Sequence, residues 1–586
     1  MSPTIGLIAI LVTSVATILV GIVGIRAART TSDFYVASRT VTPWWNASAI
    51  GGEYLSAASF LGVAGLVLAY GADMLWFPVG YTAGYLVLLV LVAAPLRRSG
   101  AYTLPDFAEA RLESLTARRT ASVLVVTIGW LYLLPQFQAA GLTVRTVTGA
   151  PQWVGPVLVA AVVLVGVLSG GMRSITFVQA FQYWLKLTAL AVPAIFIVLV
   201  WQSQGTPTIN QEGPPIFVAD TAVEIATGVS VEVQEPLEVR ADGRVNGTQV
   251  DGTLTLEPGS HELSRGTEIT FPAGARIPHA DSLTPLAGED WLLPLRSASE
   301  HPLYSTYSLI LALFFGTMGL PHVLVRFYTN PDGRAARRTT VAVLGLLGIF
   351  YLLPTIYGAL GRIYTPELLL TGRTDAVVLL LPGQLIDGAP GDALSALVTA
   401  GAFAAFLSTS SGLTISVAGV LSQDLIGRRV RNPVRAFRLS AALALTVPIT
   451  LALFSPSLGI ADVVGLAFAV AASSFCPLLL LGIWWPRLTD AGAIAGLVTG
   501  GGLSTLAVLG TILWSPQEGW WGPLLAQPAA WTMPLAFLMM VGVSLATPRR
   551  IASGVTRTMI RLHTPESVDL NRGDWDPEDR WKARKP

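Results

Sequence analysis

The sequence is poor in charged side chains and in the residues that form metal sites or disulfides. Only 12% of its 586 residues are charged, whereas about one quarter is usual in soluble proteins. The formal net charge is +1, and no basic tract alternates with aromatic residues, which argues against nucleic-acid binding. The single cysteine, Cys476, lies in an apolar run and cannot form an intrachain disulfide. No HExxH, GxGxxG or GxxxxGK[ST] motif occurs, which disfavours an integral-membrane enzyme.

What the sequence has instead is a series of long apolar runs. Hydrophobic residues make up 52% of the chain, and a run of roughly 20 apolar residues can cross about 30 Å of hydrocarbon. The runs predict an all-α integral membrane protein with about thirteen transmembrane spans. Numbered one to thirteen along the chain, the predicted spans are 4–25, 46–70, 74–96, 120–146, 153–170, 175–201, 304–327, 338–361, 392–422, 437–455, 459–484, 488–513 and 530–547.

Arginines in the loops predict the orientation of these spans. Cytoplasmic loops carry the Lys and Arg excess, and alternate loops here contain clusters such as Arg97 and Arg98 or Arg549 and Arg550. The other loops, such as GAD at 71–73, have almost none. We therefore expect the amino terminus outside and the carboxyl terminus in the cytoplasm of a multi-pass cell-membrane protein. Because its arginines follow the first apolar run, we interpret that run as a retained span and not a signal peptide.

One polar block interrupts the apolar pattern. Residues 202–303 contain 15 acidic residues and five arginines. Alternating pieces such as VSVEV, TLTL and TEITF are separated by DG, NGT, PGS and PAG, which is typical of strands and turns. We expect a small acidic, β-rich extracytoplasmic insertion at 202–303. It separates spans one to six (1–201) from spans seven to eleven (304–484), which are followed by spans twelve and thirteen (485–547) and a charged tail (548–586).

Two spans contain residues that interrupt helices. In IGGEYLSAASFLG, residues 50–62, Gly51 and Gly52 favour a break in span two. In FFGTMGLPH, Gly316, Gly319 and Pro321 favour one in span seven. Spans two to six and seven to eleven form two sets of five with opposite topology, and each break falls in the first member of its set. Such a pair points to the central site of a transporter, although glycines that only allow close packing are the alternative.

Span nine presents oxygen atoms along one helix face. Ala405, Ser408 and Thr409 follow the spacing i, i+3, i+4, which places a carbonyl and two hydroxyls together. Oxygen ligands suit a hard cation. With carbonyl oxygens from the broken span two, this face predicts a five-oxygen cage for sodium, while helix packing through a serine-rich face is equally compatible with the pattern.

Several ordered motifs are similar to those of a known family. SDFYVASR (32–39), GGEYLSAASFLG (51–62), YTLPDFAEARL (102–112), GLPHVLVRFYT (319–329) and FLSTSSGLTISVAGVLSQDL (406–425) resemble the sodium:solute symporter family. Within it, the likeness is to the acetate permease and monocarboxylate transporter branch. This resemblance implies a leucine-transporter-like fold with a 5+5 inverted repeat, and sodium-driven alternating access.

The resemblance also implies site residues. The family's sodium site falls on Gly52, Leu55, Ala405, Ser408 and Thr409. A substrate pocket between the two broken spans, with span four alongside, has the following candidates: Glu53, Tyr54, Ser56, Tyr132, Gln136, Gly316, Thr317, Met318 and Gly319.

Two positions depart from the family pattern. The acetate branch tends to have aspartate where this chain has Glu53, and several sodium symporters have an aspartate just before the glutamine of span six, where this chain has Thr176. The second departure puts a sodium exit step that uses that aspartate in doubt.

Three further residues are candidates for coupling or gating. Lys186 lies near the middle of span six, where it could replace or modulate sodium or carry a proton. A structural pairing of Lys186 with Glu53 or with a carbonyl is the preferred interpretation. His322 and Arg326 are expected to tie span seven to the inner gate.

The sequence thus predicts sodium-coupled symport of a small monocarboxylate of the acetate, propionate or pyruvate class. Proton-coupled uptake of an organic acid by the same fold is one alternative. A transporter-like solute sensor is another, but such a sensor needs an output domain, and the short tail does not supply one. The expected partners are the carboxylate, sodium and the lipid bilayer, and no obligate protein partner is evident.

Overall fold

A computed structural model describes most of the chain. The described residues are 2–25, 41–209, 213–225, 228–281, 283, 285–296, 301–426, 430, 432–454, 459–513 and 519–566. The motif SDFYVASR, residues 32–39, and the end of the tail, residues 567–586, lie outside them.

Within the described residues, each predicted span is helical over most of its length. In the first half, up to the end of span six, the helices are Pro3–Ile25, Pro43–Tyr54, Ala58–Gly62, Val63–Tyr70, Gly71–Leu75, Trp76–Val87, Leu88–Val92, Ala93–Arg98, Leu104–Leu112, Leu115–Thr148 and Val154–Ser203. Within the described residues, ten helices are long and apolar enough to cross a membrane, and a bent pair in span seven makes an eleventh. The second half of span two and span three form one of the ten, Ala58–Arg98, and Val154–Leu168 is a shorter apolar helix at span five.

The second half repeats the alternation of long helices and short connections. From span seven onward the helices are Pro302–Gly316, Thr317–Gly319, Pro321–Phe327, Gly333–Tyr364, Glu367–Leu370, Thr374–Ala376, Val377–Leu385, Gly388–Val420, Leu421–Ile426, Pro433–Phe454, Ile460–Trp484, Asp490–Gly496, Leu497–Gly502, Leu503–Leu513, Trp521–Ala526, Ala529–Ala546, Pro548–Arg550 and Val555–His563. Spans nine and eleven are buried over most of their length, because other helices surround them.

Two segments differ from the sequence expectation. Helical hydrogen bonding continues from Val154 to Ser203, through the connection predicted between spans five and six. In the tail, for which the sequence analysis expects only a charged segment, Val555–His563 forms a short helix that buries Leu562.

The predicted insertion contains an antiparallel sheet. Its strands are β1 Thr221–Glu224, β2 Val229–Val233, β3 Leu237–Val245, β4 Thr248–Leu256, β5 Gly259–Leu263, β6 Glu268–Phe271 and β7 His279–Ala280. The strand order is β1-β6-β3-β5-β2-β7, and β4 pairs with β3. Alternate residues of VSVEV are buried, as its sequence pattern predicts.

After the sheet, the insertion returns to the membrane domain through a strap, defined here as residues 285–296. The strap covers the end of span two: the Trp291 indole donates to the carbonyl of Leu68 (3.1 Å) and the amide of Leu286 donates to that of Ala69 (3.1 Å). Gly71 has φ +66°, and a Cβ there would collide with the Trp291 carbonyl. The turn after span two therefore requires glycine both for its conformation and for the approach of the strap.

Candidate functional site

Span two is broken near its middle, as Gly51 and Gly52 predict. The break itself lies at Leu55, three residues after Gly52. The helix Pro43–Tyr54 ends at Leu55, whose φ and ψ are −72° and 83°, and helical structure resumes at Ala58. Gly51 and Gly52 lie within the first half of the span and face span six. A Cβ on Gly52 would collide with the carbonyl of Gln179, so close packing and a helix break both occur in this segment.

Span seven is broken at the predicted segment. Pro302–Gly316 is followed by a 3₁₀ turn, Thr317–Gly319, and by extended Leu320 (φ −75°, ψ 116°). Pro321 then starts a new helix, at a bend of 43°. Gly316 and Gly319 allow span seven to approach the backbone carbonyls of Phe468 and Ala471 in span eleven, and Met318 is fully buried beside them.

The two breaks contact each other. The Tyr54 hydroxyl, at the end of the first helix half in span two, lies 3.0 Å from the Thr317 hydroxyl at the break of span seven. The Tyr54 hydroxyl also lies 3.1 Å from the Tyr81 carbonyl, to which it can donate. The structure thus brings together the two interrupted segments that the sequence singles out.

Three of the five oxygen atoms predicted for a cation meet around the amino group of Lys186. This amino group donates to the carbonyls of Gly52 and Leu55 (2.7 Å to the latter) and to the Ser408 hydroxyl (2.9 Å). The Ser408 hydroxyl donates to the Ala405 carbonyl at 3.0 Å. The Thr409 hydroxyl donates to the carbonyl of Glu53 at 2.6 Å. Spans two, six and nine are therefore joined at one point.

The Glu53 side chain forms a buried ion pair that the sequence analysis does not anticipate. Its carboxylate accepts from Arg326 Nε at 2.6 Å, and both side chains are almost fully buried. Arg326 also donates to the Thr176 hydroxyl (2.8 Å) and to the Gln179 side-chain oxygen. Glu53 thus pairs with Arg326, whereas Lys186 bonds to carbonyls and a hydroxyl. Because a Cβ on Gly412 would collide with the carboxylate, span nine needs glycine there.

The remaining substrate candidates surround the break in span two. Gln136 accepts from the Ala57 amide at 2.9 Å and so caps the second half of the span. Ser56 lies beside Tyr132. The Tyr132 ring packs against His322 at a centroid distance of 5.0 Å, and neither ring nitrogen of this buried histidine has a hydrogen-bond partner among the described residues.

Sequence reasoning misses several residues of this region. Gln179 bridges spans, because it donates to the Ser408 carbonyl (2.9 Å) while accepting from Arg326. Asn46 donates to the Arg326 carbonyl at 3.0 Å. Both are amides in apolar segments, a signal that could have identified them. Three aromatic residues near Tyr54 are also missed, because aromatic residues are common throughout membrane spans: Tyr81, Tyr85 and Phe468.

Comparison with known proteins agrees with this architecture. The sequence model of the Sodium:solute symporter family matches residues 34–227 and 283–500, on either side of most of the sheet. The uncharacterized symporter YwcA of Bacillus subtilis is 29% identical over 92% of this chain and 94% of its own length. A monocarboxylic acid transporter of Corynebacterium glutamicum is 29% identical over 89% and 86%.

Among solved structures, the chain is similar to the substrate-bound outward-open state of a Na⁺-coupled sialic acid symporter. The TM-score is 0.61 at 14% identity, and the match covers 92% of this chain and 98% of that one. It confirms the leucine-transporter-like fold class, to which the small sheet is added. The family and the relatives are transporters and not enzymes, and they support sodium-coupled solute symport by a multi-pass membrane protein. The chain belongs to the sodium:solute symporter family.

Proposed function

We propose that this chain carries a small monocarboxylate, of the acetate, propionate or pyruvate class, across the cell membrane together with a cation by alternating access. The observation that carries the proposal is the contact between the two broken helices, where the Tyr54 and Thr317 hydroxyls lie 3.0 Å apart. Interrupted helices at corresponding positions of two inverted repeats form the central site in transporters of this type. A solute bound at this contact touches both repeats, so its binding can bias their relative movement.

The groups near the breaks favour a small anion. The Tyr81 and Tyr85 hydroxyls and both nitrogens of His322 are buried without a hydrogen-bond partner among the described residues. Buried polar groups are normally paired, and hydroxyl or imidazole N–H donors suit a carboxylate. The surrounding rings leave little space, since the centroid of the Tyr54 ring lies 4.9 Å from that of Tyr85 and 6.2 Å from that of Phe468. The monocarboxylic acid transporter among the relatives supports the same substrate class.

Sodium is the coupling cation that the family supports, and the predicted cage offers Gly52, Leu55, Ala405, Ser408 and Thr409. Proton coupling is the second candidate, and a specific observation favours it: the Lys186 amino group contacts three of these five residues. In either case the cation connects span two to span nine, so that loading it changes which side of the site is closed.

Uptake into proteoliposomes tests the proposal. Labelled acetate, propionate and pyruvate are offered to the purified full-length protein with a sodium gradient or a proton gradient imposed separately. We expect at least one acid to accumulate above equilibrium under one gradient, and Tyr54→Phe to reduce uptake because it removes the hydroxyl contact with Thr317. No accumulation of any of the three acids under either gradient would refute the monocarboxylate proposal.

A further inference from the structure

The segment that follows span thirteen lies across the face of the membrane domain that is expected to be cytoplasmic. Span thirteen ends at Ala546, and the helix Val555–His563 follows it. Leu562 of this helix is fully buried, whereas Ile560 is 49% exposed. One side of the helix therefore packs on the membrane domain. Residues 553–566 are called the clasp here.

The start of the clasp contacts the connection before span four. The Ser553 hydroxyl and the Gly554 amide donate to the two carboxylate oxygens of Glu113, each at 3.0 Å. Close to Glu113, Arg111 donates to the Gly482 carbonyl (2.8 Å) at the end of span eleven, on which span thirteen packs. The start of the clasp is thus attached to the part of the protein that contains spans eleven and thirteen.

The far end of the clasp contacts the end of span three and the start of span eight. The Glu566 carboxylate accepts from the Gly333 amide at 2.8 Å and from Arg98 Nε at 3.3 Å. Arg98 also donates to the Leu562 carbonyl (3.4 Å), and Arg561 Nε donates to the Arg98 carbonyl (3.1 Å). Because Gly333 begins the helix of span eight, the helix dipole favours a carboxylate there.

These two span ends are joined to the broken span seven. Arg97 of span three donates to the carbonyls of Asn330 and Pro331 (2.7 Å to the latter), in the connection between spans seven and eight. The helix Pro321–Phe327 comes just before this connection and starts at the break of span seven. The clasp therefore bridges two parts of the protein: spans eleven and thirteen at its start, and spans three, seven and eight at its far end.

We propose that the clasp is an autoinhibitory contact, which holds this face of the protein closed and leaves its place when the face opens. In alternating access, two parts of a transporter move against each other around the central site. A segment that is bound to both parts stabilises the arrangement in which they are close together. The proposal rests on the alternating access of the proposed function, but not on which acid or cation is carried.

The contacts of the clasp are of a kind that can be released. The Glu566 side chain is 34% exposed, and Ser553 and Glu113 are exposed, so water and salt weaken their interactions. Leu562 supplies a fully buried apolar contact. Since a helix as short as Val555–His563 is not stable by itself in water, loss of the Leu562 contact should free the whole clasp.

Substitution of the buried leucine tests this role. The initial uptake rate of full-length protein is measured in proteoliposomes with acetate, propionate and pyruvate. We expect Leu562→Asp to raise it about three- to tenfold, because the closed arrangement is populated less. The matched control is Ile560→Asp, on the exposed side of the same helix, which should keep the wild-type rate. A Leu562→Asp rate equal to or below that of the control would overturn the proposal.

A reversible crosslink tests the clasp in the opposite direction. Arg98→Cys and Glu566→Cys are combined with Cys476→Ala, which removes the natural cysteine, and a bifunctional methanethiosulfonate joins the two new thiols. We expect the link to lower uptake about tenfold, because the clasp can no longer leave, and a reductant to restore uptake. Full uptake by the linked protein would overturn the proposal. This result decides if Leu562→Asp does not fold, since the linked variant keeps Leu562.

Hydrogen exchange gives a readout that needs no substrate. The helix Pro321–Phe327 is buried and belongs to span seven, not to the clasp. We expect its amides to exchange about tenfold faster in Leu562→Asp than in Ile560→Asp, because opening of this face admits water. Equal exchange in the two variants would overturn the proposal. Faster exchange without uptake of any of the three acids would refute the proposed substrate and support the clasp.

Discussion

Each half of span two ends at carbonyl groups that a cationic side chain satisfies, but the two cations differ. At the break, Lys186 of span six binds the carbonyls of Gly52 and Leu55. At the end beside the insertion, Arg362 of span eight binds the carbonyls of Leu68 (2.9 Å) and Ala69 (3.4 Å). The last carbonyls of a helix have no partner within it, and a cation there is favourable. At both ends, therefore, a cationic side chain binds carbonyls that have no partner within the helix.

The difference lies in the chemistry of the two side chains and in their surroundings. The Arg362 guanidinium stays charged, also donates to the Leu286 carbonyl, and lies 5.4 Å from the Trp291 ring centroid. It therefore acts as a fixed anchor for the strap. The Lys186 ammonium instead contacts two different spans, since it donates to the Leu55 carbonyl of span two and to the Ser408 hydroxyl of span nine. The comparison teaches that the same helix-end interaction holds the strap at one end of span two and joins spans two, six and nine at its break.

The largest effect on stability is expected at the buried ion pair between Glu53 and Arg326, beside the break in span two. Arg326→Met leaves the buried Glu53 carboxylate without its partner, which should lower the free energy of unfolding by about 3–5 kcal/mol. The measurement is unfolding in detergent followed by tryptophan fluorescence. Adding Glu53→Gln removes the unpaired charge and should restore part of this loss. If the single change costs no more than the double change, the ion pair does not support the break.

The next effect concerns the contact between spans two and six. Gly52→Ala introduces a Cβ that collides with the Gln179 carbonyl, and such overpacking costs about 1–3 kcal/mol. Because the Gly52 carbonyl contacts Lys186, uptake should fall at least tenfold as well. Gly166→Ala in span five is the matched control, since its Cβ meets no atom within 4 Å. Equal uptake by the two variants would contradict the close approach of the spans.

A smaller effect is expected at the end beside the insertion. Arg362→Met removes the bonds to the Leu68, Ala69 and Leu286 carbonyls, which should lower the free energy of unfolding by about 1–3 kcal/mol. Since this end is an anchor, the dependence of uptake on pH should remain that of the wild type. A shifted pH dependence of uptake in Arg362→Met would contradict the interpretation of Arg362 as an anchor that takes no part in coupling.

The smallest effect on stability is expected at Trp291 of the strap, which also tests whether this end of span two is separate from coupling. Trp291→Phe keeps an aromatic ring beside Arg362 but removes the hydrogen bond to the Leu68 carbonyl. We expect a loss of about 0.5–1.5 kcal/mol in the free energy of unfolding, and unchanged coupling. An effect on uptake greater than that of Arg362→Met would mean that the strap itself takes part in transport.

Much of the fold follows from local patterns in the sequence. Apolar runs predict the spans because backbone groups in a membrane must pair within helices, and VSVEV predicts β2 by its alternation. Gly51 and Gly52 predict a break in span two, although the chain breaks at Leu55, because the glycines are used for packing against span six. Spacing also places Ala405, Ser408 and Thr409 on one face.

The partners within the site do not follow from such patterns. Glu53 binds Arg326, 273 positions away, and Lys186 reaches Ser408, 222 positions away. Which of the two cations would pair with the carboxylate depends on how span seven bends toward span two, and this is set by tertiary packing. The sequence does not predict the strap either. Its contacts are with backbone carbonyls, and these are available only because span two ends beside them.

The most direct test is an experimental structure of the wild-type protein, determined in sodium at a resolution that shows cations and side-chain amines. We expect the Lys186 amino group to lie within hydrogen-bond distance of the Gly52 and Leu55 carbonyls and of the Ser408 hydroxyl, with no separate ion among them. A sodium ion bound by those oxygens, with Lys186 turned away, would contradict this expectation.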